Sequence, residues 1–151
     1  MSRWTMGEAE IEKLLAERQL QQVTGAQANG EHLLGRAART LMTASDIVDD
    51  DPDSAYILAY DAARYAGTAL LAQQGLRPTT GGGHYAVELA LRSQFGNGFR
   101  PFGAMRRRRN ELEYPSGPGE TTSSKEAHEA IESAQRLYDA ASRLLPTLGL
   151  F

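Results

Sequence analysis

The sequence predicts an all-α, up-and-down bundle of five to six helices, and three observations carry that expectation. Valine and isoleucine are scarce, at Val23, Val48, Val87, Ile11, Ile47, Ile57 and Ile131, so the β-branched runs that suit strands are missing. Ala, Leu, Glu, Gln and Arg fill the segments instead, and these residues lose little side-chain entropy in a helix. The six prolines, at Pro52, Pro78, Pro101, Pro115, Pro118 and Pro146, all fall where a helical reading wants a break.

The first helix is expected over residues 5–23, opened by Thr5 with Glu8 three residues on, the spacing of a reciprocal capping box. The second, over 28–48, carries Leu34, Ala38, Leu41, Ser45 and Val48 at alternating steps of four and three, which makes one inward stripe. Asp49, Asp50, Asp51, Pro52 and Asp53 then supply a turn and place negative charge at the next helix N-terminus, where the macrodipole favours it. The third helix, 53–74, is apolar on more than one side, with Ile57, Leu58, Tyr60, Ala62, Ala63, Ala66, Leu70 and Leu71. That pattern marks a central helix, and it also motivates a homodimer packed through the third and fifth helices.

Gly75 suits a left-handed helix end. Gly81, Gly82 and Gly83 lack the preceding strand and the following Lys-Ser/Thr of a phosphate loop, so they read as a hinge or plain connector. A fourth helix is expected over 84–95 and a fifth over 101–113. Ser123 with Glu126 repeats the capping spacing before a last helix that runs to residue 145. No internal repeat or long linker divides the chain, so residues 1–151 read as one domain whose last few residues form a flexible tail.

Of 151 residues, 41% are apolar and 23% charged, enough for one ordinary core and its surface. The absence of cysteine excludes disulfides, thiolate chemistry and Cys-ligated metal, and fits a reducing cytoplasm. Met1, Ser2, Arg3, Trp4 and Thr5 turn acidic by Glu8 without a signal-type apolar run, and no stretch is long and apolar enough to span a membrane. His32, His84 and His128 are isolated, so no metal site and no cofactor are expected. Asp61 and Arg64, three apart, are expected to pair.

The formal charge of −3 conceals a local excess: five arginines and no acid lie between Arg100 and Arg109. Lys13 and Lys125 are the only lysines among 16 basic residues, a bias that a GC-rich genome also explains, so the number of arginines alone is discounted. Their positions say more. On a wheel of about 100° per residue, Phe102, Met105 and Leu112 define an inward stripe and Arg109 falls inside it. Arg106 and Arg108 flank the stripe, and Arg107 faces away. A charge in an apolar slot needs a partner or a site. Glu113, one turn on, is the structural partner; a ligand is the functional one. Tyr114, ahead of Pro115, can leave the helix path and fold back over the last turn.

In these features the chain resembles the HEPN superfamily of small helical bundles. Residues 54–71 resemble its alanine- and aromatic-rich central helix. Gly75, Leu76, Arg77, Pro78, Thr79 and Thr80 leading to His84 are similar to its glycine turn and histidine-led next helix. Arg109, Asn110, Glu111, Leu112, Glu113 and Tyr114 match its signature region, and Ser124, Lys125, Glu126 and Ala127 resemble the start of its last helix. Family ribonucleases carry Arg and, four to six residues later, His. Here Tyr114 stands where that His belongs, an Arg-x-x-x-acid-Tyr form; a register starting at Arg107 puts Leu112 there.

The resemblance implies metal-independent RNA cleavage at a site shared across a homodimer, with Arg109, Asn110, Glu113 and Tyr114 as the catalytic set. Arg100, Arg106, Arg108 and His84 are the accompanying nucleic-acid ligands. Loss of the histidine removes the group best suited to proton transfer near neutral pH, and a tyrosine with an ordinary pKa of about 10 is a poor base. Weak or absent cleavage is therefore expected. The function expected is a dimeric RNA- or nucleotide-binding protein in a toxin–antitoxin, defence or stress setting. The alternative is a non-catalytic module that binds an acidic or nucleotidyltransferase-like protein partner, such as an antitoxin. A DNA-binding regulator is disfavoured, because Arg106 to Arg109 cover all sides of a helix rather than one groove-facing strip.

Overall fold

In the computed structural model, which describes residues 3–151, six helices form a bundle: α1 (Glu8–Ala16), α2 (Glu31–Ile47), α3 (Pro52–Gln73), α4 (Gly83–Phe95), α5 (Pro101–Glu113) and α6 (Ser124–Leu144). Met1 and Ser2, which open the N-terminal stretch considered above, lie outside the described residues. The all-α expectation holds, with one addition. Two three-residue strands, β1 (Leu20–Gln22) and β2 (Leu76–Pro78), pair antiparallel with Gln21 opposite Arg77.

That ladder explains why the first helix is shorter than expected. α1 stops at Ala16, and Arg18 takes a left-handed φ of 58°, turning the chain into β1 instead of continuing to Val23. The Thr79 hydroxyl donates to the Arg18 carbonyl at 2.6 Å, and Val23 N–H donates to Gly75 O at 2.8 Å, so the pairing is fastened at both ends. Gly75 itself is left-handed at φ 72°, as expected of a residue that must reverse the chain after α3. The Thr5–Glu8 capping box does not form. α1 starts after Gly7 with no side-chain cap, and Thr5 contributes only its carbonyl, which accepts from Glu8 N–H at 3.2 Å.

α3 is the central helix. The Asp51 carboxylate caps it by accepting from Ser54 N–H at 3.2 Å, and Pro52 fills the first turn, where a missing N–H costs nothing. Its 22 residues span about 33 Å. α2 and α6 cover it along its length, and α4 and α5 cover the remaining side. The apolar surface that motivated a dimer through α3 is thus buried within one chain, which removes that reason for a second copy. A Cβ at Gly67 would run into the Leu91 side chain, so this glycine sets the close approach of α4.

α5 has the expected boundaries, with Phe102, Met105 and Leu112 buried and Arg107 exposed. α6 starts as the sequence indicates, the Ser123 hydroxyl accepting from Glu126 N–H at 3.0 Å. Gly82 and Gly83 form a pinned connector rather than a hinge: the Thr79 hydroxyl and carbonyl accept from their N–H groups at 3.2 and 2.9 Å. The chain end is also held. Leu148 is buried, Phe151 N–H donates to Gln74 O at 2.9 Å, and the Arg3 guanidinium lies 3.8 Å from the Phe151 ring centre, so the expected flexible tail is packed. No described helix is long and apolar enough to cross a membrane.

Candidate functional site

α3, α4 and α5 converge on a cluster built around His84. Tyr60, in the middle of α3, is fully buried because its ring stacks on Phe102 of α5, with centroids 5.3 Å apart. Its hydroxyl reaches Nδ1 of the half-buried His84 at 3.2 Å. Arg64 lies one turn further along α3, and Arg106 and Arg109 lie on α5. These three cations, behind the larger effect of burial, push the His84 pKa down to about 4. At neutral pH the imidazole is uncharged. Burial pushes the Tyr60 phenol up to about 12, so it keeps its proton.

The three arginines differ in what holds them. Arg64 sits 3.8 Å from Asp61, the pair expected from their spacing. Burial raises the Asp61 carboxyl above its ordinary value against the lowering influence of Arg64 and Arg109. Arg106 donates from Nε to Glu88 Oε2 at 2.8 Å, and Glu88 is buried with only 3% of its side chain exposed. Arg109 has no acid within ion-pair distance among the described residues: the anticipated Arg109–Glu113 bridge is absent. Its Nη1 donates to Asn110 Oδ1 at 3.3 Å, its guanidinium carbon lies 5.9 Å from the Tyr60 ring centre, and its Nε is buried without a partner. The inward slot read from the helical wheel is real, and no carboxylate forms an ion pair with the charge in it, although Asp61 is near enough to feel that charge.

Gly103 makes the Glu88–Arg106 pair possible. A Cβ at position 103 would overlap Glu88 Oε1 where it now stands, so the carboxylate keeps this place under α5 because residue 103 has no side chain. Sequence reasoning missed Glu88, although the signal was available: it is an acid set among the buried Val87, Ala90 and Leu91, the same anomaly that picks out Arg109.

Other anticipated site residues lie elsewhere. Arg108 is engaged by Glu126 at 3.1 Å, Glu111 at 2.8 Å and the Thr121 carbonyl at 2.9 Å, with Glu120 at 3.5 Å. Those partners hold its pKa above the ordinary arginine value, the hydrogen bond to Glu126 first. A guanidinium so enclosed fastens residues 114–123 to α5 and has little left to offer a phosphate. Arg100 shares one surface concavity with Arg92 and Asn97 and another with Glu88, Gly103 and Arg107. Tyr114 is 74% exposed: it leaves the helix path as expected but does not fold back onto the last turn. Glu113, also exposed, is near enough to raise the Asp61 pKa slightly.

Chemically, the cluster is rich in donors: three guanidinium groups and a neutral imidazole beside the acids Asp61 and Glu88, with Arg109 in no direct ion pair. Such an arrangement suits an oxyanion whose oxygens accept several charge-assisted hydrogen bonds. No protein-family model, curated protein or solved structure matches the chain.

Proposed function

We propose that this protein binds single-stranded RNA, with a phosphate seated among Arg109, Arg106, Arg64 and His84. The observation that carries the reading is Arg109, a cation in an apolar slot beside a neutral histidine, with no acid in ion-pair contact among the described residues. In this reading Tyr60 donates to His84 Nδ1, which leaves the imidazole proton on Nε2 for the phosphate. Asn110 steadies Arg109 from the next position. Tyr85, 55% exposed and next to His84, offers a ring on which an unpaired base can stack, with Arg106 5.7 Å from its centre.

The likeness to HEPN proteins and the toxin–antitoxin, defence or stress setting rest on the sequence motifs, the homodimer rests on that likeness, and the cytoplasmic placement rests on the absence of cysteine. Cleavage is weak or absent, because His84 at a pKa of about 4 is a feeble base and Tyr114 is remote from burial of any kind.

Titration of labelled single-stranded RNA at low and moderate salt tests this. One neutralised phosphate gives a log–log salt slope of about −0.7, hence a loss of about 2.5-fold over a fourfold rise in salt. Absence of binding at low salt, or binding indifferent to salt, overturns the reading.

A further inference from the structure

Two arginines that the RNA reading leaves unused meet at a second place on the surface. Of the five arginines from 100 to 109, Arg106, Arg108 and Arg109 have hydrogen-bond partners, whereas Arg100 and Arg107 have none among the described residues. Both line a concavity of about 490 Å³ between α4 and α5, together with Glu88, Arg92, Asn97 and Gly103.

Helical spacing brings these groups together. On α4, Tyr85, Glu88 and Arg92 follow at steps of three and four, and Arg100, Gly103 and Arg107 repeat those steps at the start of α5, so each set shares one face of its helix. Gly103 leaves the floor between the two faces open, and Arg107 turns over it: its Nη1 lies 3.5 Å from the place a Cβ would take. Glu88, the one acid in the wall, is committed to arginines, accepting from Arg106 at 2.8 Å and lying 3.6 Å from Arg92. Glu10 lines the neighbouring concavity and forms no ion pair with Arg92 or Arg100. The exposed guanidinium groups of Arg92, Arg100 and Arg107 thus outnumber the buried carboxylate beside them, on a chain whose formal net charge is −3.

This concavity is continuous with the site around His84. Glu88 meets Arg106 on one side and Arg92 on the other, and Arg106 lies 5.7 Å from the Tyr85 ring centre. Arg92 stands two turns beyond Tyr85 on α4, about 10 Å along the helix axis, farther than one phosphate group reaches. We propose that the concavity is a second phosphate subsite, and that the ligand is a single-stranded oligonucleotide laid along the groove between α4 and α5 rather than a single nucleotide. Arg100 and Arg107 donate charge-assisted hydrogen bonds to the second phosphate, Asn97 offers its amide, and Arg92 adds charge while Glu88 holds it. The inference rests on the RNA reading for the first phosphate, and its test separates the two.

The test is a calorimetric titration of the full chain with uridylyl-uridine, which has one phosphodiester, and with a uridine pentanucleotide, which has several. The pentanucleotide is expected to bind at least about tenfold more tightly, with a log–log salt slope of about −1.4 for two phosphates against about −0.7 for the dinucleotide. Arg100→Gln combined with Arg107→Gln, both at exposed positions, should leave the dinucleotide within about twofold, weaken the pentanucleotide about tenfold and return its slope to about −0.7. Arg109→Met should weaken both ligands. Equal affinity for the two ligands, or a loss in the double variant that both share equally, overturns the second subsite and leaves the site around His84 standing. Polyglutamate that competes as well as an excess of the pentanucleotide overturns it in favour of an acidic protein partner. Binding of neither ligand at low salt overturns the RNA reading and the second subsite together.

Discussion

The Tyr60 hydroxyl lies 3.2 Å from Nδ1 of His84, and this contact joins the most buried part of α3 to the arginines of α5. Tyr60 is fixed by its stack on Phe102, so the imidazole is held from the core side and approached by Arg64, Arg109 and Arg106 from the other groups around it. Position and protonation state of His84 are thus set by the same neighbours.

This arrangement predicts a pH dependence. His84 titrates at about 4 in the folded chain and near its ordinary 6.5 when unfolded. Between those values the unfolded state binds more protons, so stability falls as pH drops through that window. Denaturant unfolding at about pH 7 and about pH 4.5 should show the loss, and His84→Gln should flatten it while leaving the carboxylate contribution. Inorganic phosphate should move the His84 pKa upward by offsetting the arginine charge, read from the imidazole proton shift. Titration of free His84 near 6.5 would contradict the cluster described here.

What was legible in the sequence is local. Asp51 and Pro52 start α3, Gly75 ends it, Pro101 starts α5 and Ser123 caps α6, because each depends on a few adjacent residues. The β1–β2 ladder was not legible: Leu20, Gln21 and Gln22 carry no strand signal, and their pairing with Leu76, Arg77 and Pro78 depends on chain reversal far away. The site divides the same way. Arg109 stands out by helical period alone. The Tyr60–His84 contact, the Glu88–Arg106 pair and the capture of Arg108 depend on how three helices cross and on where residues 114–123 settle.

Gly103 gives a prediction whose sign is diagnostic. In an ordinary helix interior, Gly→Ala stabilises by about 1 kcal/mol. Here the new methyl meets Glu88, so Gly103→Ala should destabilise by about 1–3 kcal/mol. It should also weaken RNA binding by displacing Arg106. Adding Glu88→Ala should restore much of the stability but not the binding, since Arg106 then has no anchor. Chemical denaturation of the two single variants and the double variant checks this; additive destabilisation would mean that the two residues do not meet.

Arg108 should matter for the loop rather than the ligand. Arg108→Ala removes the hydrogen bonds to Glu126, Glu111 and Thr121 from a partly exposed network, for an expected cost of about 1–2 kcal/mol. Limited proteolysis should find new cleavage within residues 114–123, and the stability difference from wild type should shrink at high salt. RNA affinity should change less than about twofold. A large affinity loss with an intact loop would return Arg108 to the nucleic-acid site.

Arg109 separates a structural role from a functional one most directly. Its stem occupies the apolar stripe with Phe102, Met105 and Leu112, whereas its guanidinium has no carboxylate partner and a buried, unpartnered Nε. Arg109→Met keeps the stem and removes the charge, so stability should be unchanged or slightly higher. Glu113→Ala should likewise leave the melting temperature in place, because no ion pair is broken. RNA affinity of Arg109→Met should fall about tenfold or more, with a shallower salt dependence. Tyr114→Phe and Arg107→Ala, both at exposed positions, should cost far less. Purified wild-type protein should leave RNA intact or cut it weakly, with or without divalent metal, and Arg109→Met should remove any cutting there is. Metal-independent cleavage that survives Arg109→Met, or depends on Tyr114 as strongly as on Arg109, would place the chemistry outside the cluster around His84.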